Sequence, residues 1–197
     1  MFTEFEKKMD EIKRYLDLLD TAREELLKLT RDLRRRATSA IAEVHRNSLE
    51  NAENMLKECF NHLEKIKYYE DDFPEIYYPI TRDPIQEFIE AYVFFSIIKN
   101  REIAIPEVKV HPSPILTGLA DCVGELRRYA LEMMREMKVK EANEMINFME
   151  AIYSKLIEFD YPDKIVPLKS KLDMVRLAIE RTKSDLLSVM RLINETG

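Results

Sequence analysis

The sequence predicts an all-α protein, a bundle of long antiparallel helices. Three observations carry that reading. Only three glycines occur in 197 residues, one of them the terminal Gly197, and no proline precedes Pro74. Apolar residues recur at three- and four-residue intervals over most of the chain, the period of a helix with one buried face. No alternating apolar–polar stretch, the mark of a half-buried strand, survives outside short connectors.

The elements follow in order. Met9, Ile12, Leu16, Leu19, Leu26, Leu29 and Leu33 trace one helical face, and Ala40, Ile41, Val44, Leu49, Met55, Leu56, Phe60 and Leu63 continue it. That opening reads as one very long helix, or two with a tight break. Tyr69 to Pro79 reads as a connector. Asp83-Pro84-Ile85-Gln86 then looks like a helix start, with Asp83 as N-cap, Pro84 at the first position and Gln86 two further on. This helix runs to about Asn100. A second connector, Ile103 to Pro112, is β-branched and broken by proline. Ser113-Pro114 opens the next helix, to about Met137, and another follows from about Lys140 to Glu158. Tyr161-Pro162 breaks the pattern before a last helix over roughly Pro167 to Asn194. Residues 1–197 read as a single all-helical domain.

Composition narrows the function. A net charge of −6 argues against a surface coated for nucleic acid but leaves room for a local basic face. Cys59 and Cys122 are the only cysteines, which rules out a cysteine-based zinc site and points to reduced packing residues. The first residues are charged, not signal-like, and no run approaches the length of a membrane span, so a soluble cytoplasmic protein is expected.

The chemistry concentrates in four acids. Glu87 and Glu90 interrupt the apolar run from Ile85 to Phe95, and Asp121 and Glu125 interrupt the one from Ile115 to Leu126. Their spacings of three and four residues put each pair on one helix face. A bare buried carboxylate costs several kcal/mol, so such groups are paired, protonated or bound to a cation. Two readings stay open: ion pairs with neighbours such as Arg82, Arg101, Arg127 or Arg128, or a site for Mg²⁺ or Mn²⁺, which prefer oxygen ligands. Gly118 and Gly124 flank Asp121, and glycine inside a helix implies close approach of another backbone or of a substrate. Neither acidic helix carries a histidine, which makes di-iron chemistry unfavourable. An all-α nucleotide pyrophosphohydrolase using acidic helix pairs with Mg²⁺ fits the same pattern.

A basic face lies earlier in the chain. Arg31, Arg34, Arg35, Arg36 and Arg46 crowd the first helical region, and guanidinium groups suit phosphate oxygens. The alternative is a solvated face paired with Glu24, Glu25 and Asp32. His45 either meets a phosphate or serves a helix contact. No serine elbow, cysteine–base pair or phosphate-cradling glycine loop is present.

At these motifs the chain resembles the translin superfamily, and within it translin-associated factor X more than translin proper. Three blocks carry the resemblance: Arg23 to Asp32 continuing through Val44-His45-Arg46; Gln86-Glu87-Phe88-Ile89-Glu90-Ala91; and Leu116 to Leu126, with its Gly118, Asp121, Gly124 and Glu125. Weaker similarity runs through Tyr153 and Lys169 to Leu172. The resemblance implies helices assembled into a hollow homo-octamer. It implies a metal-dependent endoribonuclease in which Glu87, Glu90, Asp121 and Glu125 hold Mg²⁺ or Mn²⁺ and activate water. It makes Arg31, Arg34, Arg35 and Arg46 candidates for contacts to RNA, or to single-stranded DNA. The branch resembling translin proper implies instead a shell that binds nucleic acid without cutting it. Short connectors indicate a compact, archaeal-type member.

Overall fold

The computed structural model describes residues 2–196. The chain forms the expected all-α bundle. In order come α1 (Phe2–His45), α2 (Leu49–Lys67), a single turn α3 (Tyr69–Asp72), α4 (Pro74–Asn100), α5 (Pro112–Arg135), α6 (Val139–Leu156) and α7 (Lys169–Thr196). No described residue lies in a strand.

The opening is two helices, not one. The break is the turn at Arg46–Ser48, where Asn47 takes a left-handed φ of 60°. Asparagine tolerates that conformation better than most side chains. Met137 and Arg101 make the same left-handed turn after α5 and at the end of α4.

Helix α4 corrects the sequence reading. Tyr69–Pro79 is not a connector and Asp83 is not an N-cap: α4 starts at Pro74 and passes through both Pro79 and Pro84. Each internal proline removes a backbone hydrogen bond and crowds the preceding turn. The helix persists because Tyr77, Thr81 and Ile85, four residues apart, are all buried. Pro74, not Pro84, sits at the helix start, where the missing N–H costs nothing. Helix α5 likewise begins two residues early: His111 caps it, its Nδ1 accepting from the Ser113 N–H at 3.2 Å.

Helix α1 packs on α2 and α4, α4 on α5, and α5 on both α6 and α7. Direction is mixed, not uniformly antiparallel. The turns at Arg46–Ser48 and Glu136–Lys138 make hairpins of α1/α2 and α5/α6. Helices α4 and α5 run parallel: Gly118 lies against Gln86 and Ile89, and Tyr129 against Phe94. The eleven residues between them explain it. Extended, they reach about 36 Å, enough to run back along the roughly 33 Å of α4 from Asn100 to Tyr78, where Tyr78 meets His111 at 5.1 Å. Helix α7 is parallel to α5 in the same way, with Lys171 at Asp121 and Thr182 at Arg127.

The core is continuous and centres on α4, where Phe88, Ile89, Phe94 and Ile97 are fully buried. Cys59 and Cys122 are free and buried, and burial pushes the Cys59 thiol up to about 12 and that of Cys122 well above its ordinary value. Both are packing residues. One part of the predicted apolar face finds no partner: Met9, Ile12 and Leu16 are exposed on the first third of α1, with Phe5 and Leu18.

Candidate metal and nucleic-acid site

The four acids meet along the seam between α4 and α5. The seam is close because of Gly118: a β-carbon there would stand 2.6 Å from the Gln86 carbonyl oxygen and 2.8 Å from Ile89 Cβ. Close backbone approach is thus the reason for this glycine. It brings the face carrying Glu87 and Glu90 beside the face carrying Asp121 and Glu125. Gly124 has a different surrounding, with nothing within 4 Å of its would-be side chain, so it does not serve packing in this chain.

Each acid has its own setting. Glu87 accepts from the Thr38 hydroxyl at 2.8 Å and lies 3.5 Å from Arg34 Nε, both on α1. Asp121 accepts from the Gln86 amide at 2.6 Å and from the ammonium of Lys171 on α7. Glu125 lies 2.5 Å from His45 Nε2 and 3.6 Å from Arg128. The His45 side chain, 8% exposed, packs on Phe94 with ring centroids 4.9 Å apart. Glu90 is half-buried like the other three acids and has no hydrogen-bond or ion-pair partner among the described residues. Burial first, and then the charges of Asp121, Glu87 and Glu125, raise its carboxyl to about 8, with Lys171 pulling the other way. At neutral pH Glu90 therefore holds a proton.

The donor chemistry suits a hard cation: four carboxylates, one of them protonated for want of a countercharge. Among the described residues no three histidine, cysteine or acidic side chains stand close enough to share one ion as they are placed. A cation here would be held by no more than one or two carboxylates, with waters and substrate phosphates completing its shell.

Of the arginines expected to neutralise the acids, only Arg128 does so; Arg82, Arg101 and Arg127 pair with Asp83, Glu144 and Asp185. Thr38, Gln86 and Lys171 were not legible as site residues, because long-range contacts recruit them. Lys171 does lie in the Lys169–Leu172 stretch of family similarity, and His45 in the Val44–Arg46 block. The arginines proposed for nucleic acid are spread along α1 and into the turn after it. Arg31 donates to the Leu27 carbonyl at 3.1 Å, Arg35 pairs with Asp32 at 2.9 Å and Arg46 with Glu43 at 2.6 Å, while Arg34 alone reaches the acids. All four are exposed.

Comparison with known proteins places this geometry. The translin family matches residues 21–184, which includes every acid of the seam. The chain belongs to the translin family. An uncharacterised protein of Methanocaldococcus jannaschii is 33% identical over 193 residues, covering 93% of this chain and 84% of that one. AfC3PO, solved both alone and in complex with duplex RNA, is 42% identical with a TM-score of 0.90; in the complex, 94% of this chain and 97% of AfC3PO are covered. Apo-NeC3PO, at 22% identity and a TM-score of 0.82 over 92% of this chain and 96% of its own, shares the fold. This translin-family chain therefore has an AfC3PO-like architecture, and no described helix is long and apolar enough to cross a membrane.

Proposed function

We propose that this translin-family protein is a Mg²⁺- or Mn²⁺-dependent endoribonuclease, acting on RNA inside an oligomeric shell. The observation that carries the reading is Glu90: a half-buried carboxyl, crowded by three others and without a cation of its own, in an architecture that AfC3PO brings to duplex RNA. One or two of Glu87, Glu90, Asp121 and Glu125 would hold the ion, with waters and substrate phosphates completing its shell. When bound, it supplies charge neutralisation for the phosphodiester and a more acidic water.

The chain's own residues do the rest. His45 and Thr38 fix the carboxylates of Glu125 and Glu87 from the α1 side, so neither must be ordered when substrate arrives. Glu125 would take the proton of the attacking water, because Glu90 already carries one. Arg31, Arg34, Arg35 and Arg46 supply phosphate contacts along α1.

The exposed apolar residues of α1, with Met174, Leu177, Leu187 and Met190 on α7, support assembly through these helices. We propose that the shell is a homo-octamer, which a native mass measurement would test, in a cytoplasmic protein. A second reading has its own support: three of the four acids already have partners, as in a shell that binds RNA or single-stranded DNA without cutting. Labelled RNA incubated with Mn²⁺ and with EDTA separates the two. Cleavage that EDTA stops and that Glu125→Ala lacks is expected; salt-sensitive binding with no product would leave the binding shell.

A further inference from the structure

A cleft of about 540 Å³ opens at one end of the α4–α5 contact, between residues 77–85 of α4, the start of α5 and the connector before α7. Small-molecule sites span about 300–1,000 Å³. None of the four acids lines it, and Ser113 on its wall lies eight residues, about 12 Å along α5, from Asp121. Two hydroxyls face it without partners. Thr81 is 2% exposed and Ser113 4%, and neither side chain makes a hydrogen bond among the described residues. Both oxygens still reach the cleft, because the fully enclosed unpartnered side-chain atom among the described residues is His62 Nδ1. His111 accepts at Nδ1 from the Ser113 N–H, which leaves its neutral ring a donor at Nε2 with no partner among the described residues. The N-terminus of α5 adds no donor of its own: Pro112 and Pro114 have no N–H, and that of Ser113 is taken.

We propose that this cleft binds a free nucleoside monophosphate, with its phosphate on Arg82 and Lys164, its base against Tyr78 and its ribose over Thr81 and Ser113. The cations are available. Lys164 has no partner among the described residues, and Arg82 meets only its neighbour Asp83, at 3.4 Å. Two positive charges match one phosphate monoester, of about −1.5 to −2. A triphosphate would bring more charge than they offset, and inorganic phosphate would leave most of the volume empty. A purely apolar molecule would bury the Thr81 and Ser113 hydroxyls unpaired, which is unfavourable. The base has its own wall: Tyr78, 43% exposed and perpendicular to His111, is a surface on which a flat heterocycle stacks. Asp163, the one acid of the lining, is an acceptor for ribose hydroxyls or a base amino group. The site stands apart from the nuclease reading, since it uses no residue of the seam.

The test is equilibrium dialysis of the full-length protein against labelled AMP, GMP, CMP and UMP, each alone, with EDTA present so that no metal joins nucleotide to the acids. The tightest of the four should bind at least about tenfold better than its own nucleoside, than ribose 5-phosphate and than inorganic phosphate. Lys164→Ala and Tyr78→Ala should each lose about tenfold in affinity, with melting temperatures unchanged because both residues are exposed. Thr81→Val should lose about fivefold yet melt no lower, since it removes a hydroxyl that has no partner among the described residues. That opposition separates a contact with ligand from damage to the fold. No binding at millimolar concentrations of any of the four, or wild-type affinity in both Lys164→Ala and Tyr78→Ala, would overturn the proposal. Displacement of the nucleotide by an equimolar 5′-phosphorylated RNA oligomer would also overturn it, by giving the cleft to an RNA end. None of these results bears on cleavage at the seam.

Discussion

The acidic seam of α4 and α5 and the basic face of α1 carry the same number of candidate residues, and folding treats them differently. The four acids are drawn together, because Gly118 lets two parallel helices touch and the buried faces around Phe88 and Val123 hold them there. The four arginines stay apart in solvent, three of them occupied by residues three or four positions away. A site made of half-buried side chains on core helices is positioned by the core. A contact surface made of exposed ones is specified only when its ligand arrives.

The sharpest way to break this contrast is to remove one acid. Glu125→Ala should lower the RNA cleavage rate by at least about a hundredfold, with an unchanged circular dichroism spectrum. Full activity in a highly purified variant would take Glu125 out of the mechanism.

The seam itself comes next. Gly118→Ala drives a methyl into the Gln86 carbonyl and Ile89, and overpacking of this kind costs about 1–3 kcal/mol. Denaturant unfolding should show that loss, whereas Gly124→Ala gains stability. Equal effects at the two glycines would mean the α4–α5 contact is not the tight one.

A titration follows from Glu90. Its ordinary value is 4.5 and the fold raises it to about 8. Between those limits the native state holds a proton that the unfolded chain has lost, so stability of the metal-free protein falls as pH rises through that window. The contribution is intact below about 4.5 and lost above about 8. Glu90→Gln should flatten this segment of the stability profile. Binding of Mn²⁺ near pH 7 should release a proton, seen as a buffer-dependent calorimetric heat that Glu90→Gln abolishes. A pH profile identical in wild type and variant would place the Glu90 carboxyl in ordinary solvent.

The smallest effects belong to the basic face. Arg35→Ala and Arg46→Ala should each lower the salt slope of RNA binding by about 1 and leave the melting temperature unchanged. An unchanged slope would make those residues a solvated face only.

Much of this was legible in the sequence, and what was not has identifiable causes. The helical class follows from period and from the scarcity of glycine. The acids stand out because charge in an apolar helix needs a reason. The start of α4 was misplaced because Pro79 and Pro84 read as breakers, while the burial of Tyr77, Thr81 and Ile85 that overrides them is a tertiary effect. Gln86 and Lys171 look like surface residues until α5 brings Asp121 to them. Met9, Ile12 and Leu16 announce a buried face that a single chain does not bury.

A crystal soaked with Mn²⁺ tests the central claim most directly. The account predicts an anomalous peak at the α4–α5 seam, within coordination distance of Glu90 or Asp121, with Lys171 drawn away from Asp121. A seam with no peak at saturating Mn²⁺, and with Lys171 still on Asp121, would contradict it.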